Sequence, residues 1–161
     1  MSYPQTLENL TAREAISDAM YRALLGFDYN DVAIFNSAFA GEDVVLEINS
    51  GPGEDVSVQG LSSIRTQFLA HVGPMDTTHM TSNVRVSFKE GESTASLTAN
   101  FLAQHCPPGR GKELDGPKFM ASGQYSIDLV HDNADGMWKI KKWVLNIIWR
   151  QGDISVMHRS A

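Results

Sequence analysis

The chain has 161 residues, 42% of them hydrophobic and 20% charged, and a formal net charge of -6, which describes one compact globular domain. That acidic balance argues against phosphate-backbone binding, which needs clustered Lys and Arg, so nucleic acid is not an expected partner. No apolar run approaches the roughly 20 residues of a membrane span, and the start MSYPQTLENL has neither a basic nor an apolar leader character, so a soluble, cytoplasmic chain is expected.

Helical signals open the chain. Thr11 and Glu14 have capping-box spacing, and Ala15, Ile16, Ala19, Met20, Ala23 and Leu24 recur at helical intervals up to Gly26, which is expected to end or bend the helix. A second short helix is expected over about 31–39, capped by Asn30 or Asp31, with Val32, Phe35 and Phe39 on one side. Asp28 falls at the corner between the two, where capping the second helix is its alternative role. The β-branched run VVLEINS follows, closed by Gly51, Pro52 and Gly53, and EDVSVQG returns as a short partner strand. Leu61, Ile64, Phe68 and Leu69 then make the apolar stripe of a third helix over about 61–72.

From Asp76 onward the pattern changes to long strands, expected near 77–89, 93–106, 118–131 and 137–150 and joined as antiparallel hairpins. Between the second and third of these, PPGRGKELDGP (107–117) is an exposed loop, either a plain connection or a flap over a pocket. The lone cysteine, Cys106, precedes Pro107 and Pro108 and is expected to be structural. Helices first and a four-stranded meander afterwards is an α+β order, in which a curved sheet wraps a helix and leaves an open-ended pocket.

Strand alternation says which side chains face that pocket. His105 shares a face with Leu97, Ala99, Phe101 and Ala103, and Tyr125 shares one with Phe119, Ala121, Ile127 and Leu129. His79 alternates with Thr81, Asn83 and Arg85, opposite Val84, Val86 and Phe88, so it reaches the apolar face only if a bulge intervenes or two faces are used. Around 143–149 both faces are apolar, with Trp143, Leu145, Ile147 and Trp149 on one side, which predicts a central strand in which Asn146 must find a polar partner. Glu47 is set by parity against Leu46 and Ile48, so an edge-strand position facing solvent is its alternative. His71, His131 and His158 lie at a helix end, beside a turn and in the polar tail, and are expected at the surface.

Imidazole is the side chain whose ordinary pKa lies nearest neutrality, so His79 and His105, downstream of the acidic pair Asp28 and Asp31, are candidates for acid–base chemistry. A hydrogen-bonded core histidine is the alternative for each. No His or Cys spacing typical of a metal site occurs, and no nucleotide or nicotinamide motif, so no metal and no cofactor are expected.

The corner F-D-Y-N-D at 27–31, T-x-H at 77–79, L-A-Q-H at 102–105 and the stretch from Asp135 to Asp153 resemble, in order and spacing, the nuclear transport factor 2-like superfamily. Within it the chain is most similar to scytalone dehydratase and the SnoaL-like polyketide cyclases. The resemblance implies a cone-shaped α+β barrel, with helices packed in a strongly curved, mostly antiparallel sheet. It also implies an aspartate and two histidines around a small pocket, at Asp28, His79 and His105. The two tyrosines with which the dehydratase holds a water correspond to Phe27 and about Glu47, and neither matches. SnoaL-like isomerases and cyclases use Asp, Glu and His, which suits Asp28, Glu47 and either histidine.

The expected activity is therefore cofactor-free dehydration, isomerisation or cyclisation of a small hydrophobic polyketide- or terpenoid-like metabolite, with one histidine as base and Asp28 orienting it. Tyr21, Phe27, Tyr125, Asn146 and Trp149 are the candidate substrate contacts. Two other functions stay open. One is a non-catalytic binding or assembly domain of the same fold. The other is epoxide hydrolysis, which needs an Asp-Arg-Asp set and hence Arg85 or Arg150 in the pocket. A homo-oligomer, dimer or trimer, is expected through the 143–149 strand.

Overall fold

The computed structural model describes residues 3–158. Helix α1 (Ala12–Asp28) begins with the expected capping box: Thr11 Oγ1 accepts from the Glu14 N–H at 3.3 Å and Glu14 Oε2 accepts from the Thr11 N–H at 2.7 Å. Two N–H groups at the helix start are thereby satisfied. Ile16, Ala19, Met20, Ala23 and Leu24 form its buried stripe. The helix does not stop at Gly26. It runs on to Asp28, and Gly26 instead permits a close crossing, since a Cβ there would lie 2.6 Å from the Cβ of Phe35. Phe35 belongs to α2 (Val32–Ser37), capped by Asp31, whose Oδ1 accepts from the N–H groups of Ala33 and Ile34 at 3.0 and 3.1 Å. The cap role is thus filled by Asp31, which leaves Asp28 free for other contacts.

A six-stranded sheet follows: β1 (Val45–Asn49), β2 (Val56–Gln59), β3 (Asp76–Phe88), β4 (Thr94–Cys106), β5 (Phe119–Asp132) and β6 (Met137–Gly152). Its order is β2-β1-β6-β5-β4-β3, antiparallel except that β1 runs parallel to β6. The expected α+β wrap is present, but the sheet is not closed into a barrel, because β2 and β3 remain its edges. Between β2 and β3 the helical stretch α3 (61–72) contains a π-helical turn at Arg65–Leu69 and buries Ile64, Leu69 and Val72.

Three bulges set the phase of the inner face. In β3 the register shifts between Ser82 and Arg85, where Asn83 takes a left-handed φ of 53°. Thr77, His79 and Thr81 before it, and Val84, Val86 and Phe88 after it, are consequently all the less exposed partners of their alternation. The bulge that simple parity required for His79 is there. In β6 the register shifts at Lys141, since Asp128 pairs with Lys142 but Leu129 with Ile140, and again at Ile148, since Gly123 pairs with Ile147 but Ser122 with Trp149. Trp149 leaves the inner face there, contrary to the unbroken alternation expected from sequence, and is 44% exposed.

Arg22 is buried within the α1 stripe. Its Nε donates to Asp18 Oδ2 at 2.9 Å, Nη2 to the Trp138 carbonyl at 2.7 Å and Nη1 to the Ser37 carbonyl, which ties α1 to α2 and β6. Cys106 is buried, as expected of a structural residue. The 107–117 loop is pinned to the sheet edge, because the Asp76 carboxylate accepts from the N–H groups of Gly109 and Gly111 at 3.2 and 2.7 Å. No helix among the described residues is long and apolar enough to cross a membrane.

Candidate active site

The end of α1 meets the start of β3 through a carboxylate whose two oxygens are both engaged. Asp28 Oδ1 lies 2.6 Å from His79 Nδ1 and accepts from Thr77 Oγ1 at 2.8 Å, while Oδ2 accepts from the His79 backbone N–H at 3.0 Å. Burial pushes the Asp28 carboxyl up, but hydrogen bonds and charge from His79, together with the Thr77 hydroxyl, outweigh it and hold the group below its ordinary value. The carboxylate is then ionised at neutral pH, so Nδ1 of His79 carries the proton and donates it. Nε2 is left as the basic nitrogen.

His105, across from His79 on β4, has the opposite environment. The ring centroids are 5.3 Å apart and the planes nearly perpendicular, at 87°. Burial, and then the neighbouring His79, push the His105 imidazole down to about 4, so it is neutral at pH 7. Its Nδ1 is buried with no side-chain hydrogen-bond partner among the described residues, and the Phe119 backbone acts against the downward shift.

Both rings line a cavity of about 190 Å³ between α1, α2, α3 and the inner face of the sheet. The space exists because Ala103 and Ala121 supply little volume between the larger rings of Phe101, His105, Phe119 and Tyr125. Phe27 stacks on His79 at 5.5 Å, Phe101 on Tyr125 at 4.4 Å, and Trp143 meets Tyr125 edge to face at 5.0 Å. Burial, reinforced by the Asp28 charge, raises the Tyr125 phenol well above its ordinary value, so it stays protonated. Met157, in the 3₁₀ turn Ile154–Met157, closes one side, and its carbonyl lies 2.9 Å from Nε2 of His71, which is therefore not a free surface residue.

Of the residues singled out from sequence, His79, His105, Phe27 and Tyr125 line this cavity, and Asp28 stands behind His79 as its hydrogen-bond partner. The others do not. Glu47 points to the outer face, opposite Leu46 and Ile48, and its Oε1 lies 3.0 Å from Lys142 Nζ. Asn146 shares that outer face and accepts from Asn49 Nδ2 at 2.7 Å. Tyr21 is exposed on the far side of α1, and Trp149 has been turned outward by the β6 bulge. Arg150 binds Glu54 Oε2 at 2.8 Å and Arg85 is exposed, so neither builds an Asp-Arg-Asp set here. A larger surface groove of about 620 Å³, between α3, the 107–117 loop and the C-terminal turn, holds none of Asp28, His79 or His105. The loop borders that groove and does not cover the histidines.

The family model for the SnoaL-like domain matches residues 8–144. The chain belongs to that family. A curated relative, terrestric acid biosynthesis cluster protein E of Penicillium crustosum, is 38% identical over 147 residues, covering 91% of this chain and 90% of the relative. Among solved structures, a Novosphingobium aromaticivorans protein assigned by inference as a scytalone dehydratase superposes with a TM-score of 0.68 at 23% identity, covering 91% of this chain and 88% of that one. A nuclear transport factor 2-like superfamily protein of Salmonella enterica gives 0.65 at 14% identity, over 87% and 89%. These SnoaL-like and nuclear transport factor 2-like matches agree in fold with the sheet and helices described above.

Sequence reasoning quoted Thr77 in the T-x-H motif but gave it no role, although its two-residue spacing from His79 puts both on one strand face. It also passed over Trp143 as a cavity residue and Arg22, whose charge in the midst of an apolar helical stripe is the signal that marks it.

Proposed function

We propose that this SnoaL-like domain is a cofactor-independent acid–base enzyme, a lyase or isomerase that moves a proton at a carbon next to a carbonyl in a small hydrophobic secondary metabolite. The observation that carries this is the Asp28–His79 pair, 2.6 Å apart, on the wall of a nearly apolar cavity with a second, neutral imidazole facing it. Nε2 of His79 takes the proton as the C–H bond breaks, and the electron pair moves into the carbonyl oxygen as an enolate. The imidazolium that forms is stabilised by Asp28, whose charge is screened little in so buried a place. When the enolate re-forms its carbonyl, the electron pair either expels a β-hydroxyl, which leaves as water with the proton from His79, or takes that proton at another carbon. The first outcome is dehydration and the second isomerisation.

The two histidines divide the work by environment. His105, with its imidazole pushed down to about 4, is the wrong group to hold a positive charge and acts as a neutral hydrogen-bonding partner for the substrate. A purely ligand-binding domain has no need of a buried carboxylate aligned on an imidazole, which favours the catalytic reading over the binding one.

The test is deuterium wash-in from heavy water at the α-carbon of a panel of small cyclic β-hydroxy ketones, followed by proton NMR. His79→Ala is expected to reduce the exchange rate on any accepted ketone by about a thousandfold. Equal exchange by the wild-type chain, His79→Ala and His105→Ala would overturn the reading.

A further inference from the structure

One row of cross-strand partners runs along the floor of the cavity: His79 on β3 pairs with Ala103 on β4, Ala103 with Ala121 on β5, and Ala121 with Arg150 on β6. The first three line the cavity and Arg150 does not, since it reaches away to Glu54 Oε2 at 2.8 Å and to the Ser50 carbonyl at 3.1 Å. Neighbouring strands lie about 4.8 Å apart, so two alanines side by side leave a floor roughly 10 Å long. Larger lining residues bound it along the strands, with Phe101 and His105 on either side of Ala103 and Phe119 beside Ala121. Four residues apart on one strand, Phe101 and His105 stand roughly 13 Å from each other at the backbone, which leaves about the width of one ring between their side chains. The His79 end is blind, because Phe27 stacks on the imidazole at 5.5 Å and Asp28 holds its Nδ1. At the other end the half-buried lining residues Ile48, Leu145, Ile147 and Met157 stand on β1, β6 and the turn after β6.

We infer that Ala103 and Ala121 are the specificity-determining residues of this site. They floor a slot one ring wide, open at β6 and blind at His79, and its ligand is an uncharged single-ring compound whose substituent trails toward β6. This rests on the reading of the cavity as a proton-transfer site and names the class of substrate it takes. No Asp, Glu, Lys or Arg is among the lining residues, so a charged ligand would lose its hydration without gaining a partner. The volume, about 190 Å³, lies below the range of roughly 300–1,000 Å³ common for ligand pockets. It is close to the roughly 150 Å³ of an apolar cavity that takes up benzene. A ring lying on the two alanines brings its leading edge to the imidazole, so the reacting C–H belongs to that edge and the walls leave room for a side group only behind it. Each methyl group added at 103 or 121 takes space that the surrounding rings cannot give back.

The probes are n-propylbenzene and mesitylene, isomers of one molecular formula that differ in shape, the first a ring with a single tail and the second a ring widened on three sides. Each is titrated into the full-length chain, and the methyl resonances of Ala103 and Ala121 and the ring Hε1 of His79 are followed by NMR. Propylbenzene is expected to bind about tenfold or more tightly than mesitylene and to move all three resonances by its ring current, while those of Ala95 and His131 stay in place. Ala103→Val and Ala121→Val are each expected to weaken propylbenzene about tenfold. Ala95→Val makes the same change on the inner face of β4 away from the cavity and should alter binding by less than about twofold. Equal binding of the two isomers to the wild-type chain would sink the idea, as would propylbenzene bound with neither alanine methyl nor His79 disturbed. So would an affinity that survives both valine variants, or one that Ala95→Val lowers as much. The wild-type comparison needs no variant to fold. It also needs no turnover: shape-selective binding without deuterium wash-in on any ketone would overturn the proton-transfer reading and leave the slot standing.

Discussion

The wall that α1 and β3 give to the cavity differs in kind from the wall that β4, β5 and β6 give it. On the first, Asp28 receives Thr77, the His79 backbone and the His79 ring. On the second, the Trp143 indole N–H is buried without a hydrogen-bond partner among the described residues, and the His105 imidazole is neutral at pH 7. A charge has to be fixed before a ligand arrives, because an unpaired buried carboxylate would take up a proton and lose its use. Neutral groups can stay unpaired at smaller cost. The contrast separates a fixed charge from neutral polar groups within one small space.

The largest effect should come from the permanent side. Asp28→Asn keeps the shape but removes the charge and the preference for Nδ1–H, and is expected to slow proton exchange on an accepted ketone by about a thousandfold or more; a loss under tenfold would mean that His79 works without the carboxylate. Next is a pH effect on stability from the other wall. His105 is pushed down to about 4 in the folded chain, so below about pH 6.5 the unfolded state binds a proton that the native state refuses, and stability falls progressively until the pH passes through the folded value. The loss should approach about 3 kcal/mol in urea unfolding measured between pH 7 and 4, and His105→Phe should flatten that slope. Asp28, shifted down, adds its own loss only at still lower pH, as the pH falls through its folded value.

Thr77→Val should have a smaller consequence, about tenfold in exchange rate, with Thr77→Ser restoring it; ¹⁵N shifts of His79 should show a less uniform Nδ1–H tautomer in the valine variant only. If valine and serine behave alike, the hydroxyl has no orienting role. Smallest of all is Glu47→Gln, which touches the outer face and the Lys142 pair and should change exchange by less than about twofold and stability by less than about 1 kcal/mol.

Much of this was legible in the chain because strand alternation is a strict rule between bulges. The inner residues of β4 and β5, from Leu97 to His105 and from Phe119 to Leu129, lie where period two puts them. Legibility failed where the period was broken. The β3 bulge reconciles His79 with Val84, Val86 and Phe88, and parity could demand it without locating it. The β6 bulge turned Trp149 outward, and nothing local announces it except the absent side chain of Gly123 on the neighbouring strand, where a Cβ would lie 1.9 Å from the Asn146 carbonyl oxygen. Glu47 obeyed alternation. It was the similarity to Asp, Glu and His sites that drew it into the candidate set, against the parity that set it outward.

The left-handed residue Asn83 has a consequence for anyone who would move or redesign this site. It divides β3 into a chemical half, Thr77 to Thr81, and a structural half, Val84 to Phe88, each in its own phase. Deleting that one residue would put the two halves in a single alternation with all six side chains still inward, so the insertion reconciles the two phases and adds the local bend and twist of a bulged strand. A transplant of the Thr77–His79 motif into a regular strand can therefore leave the insertion behind, provided that the recipient's apolar positions continue the same alternation.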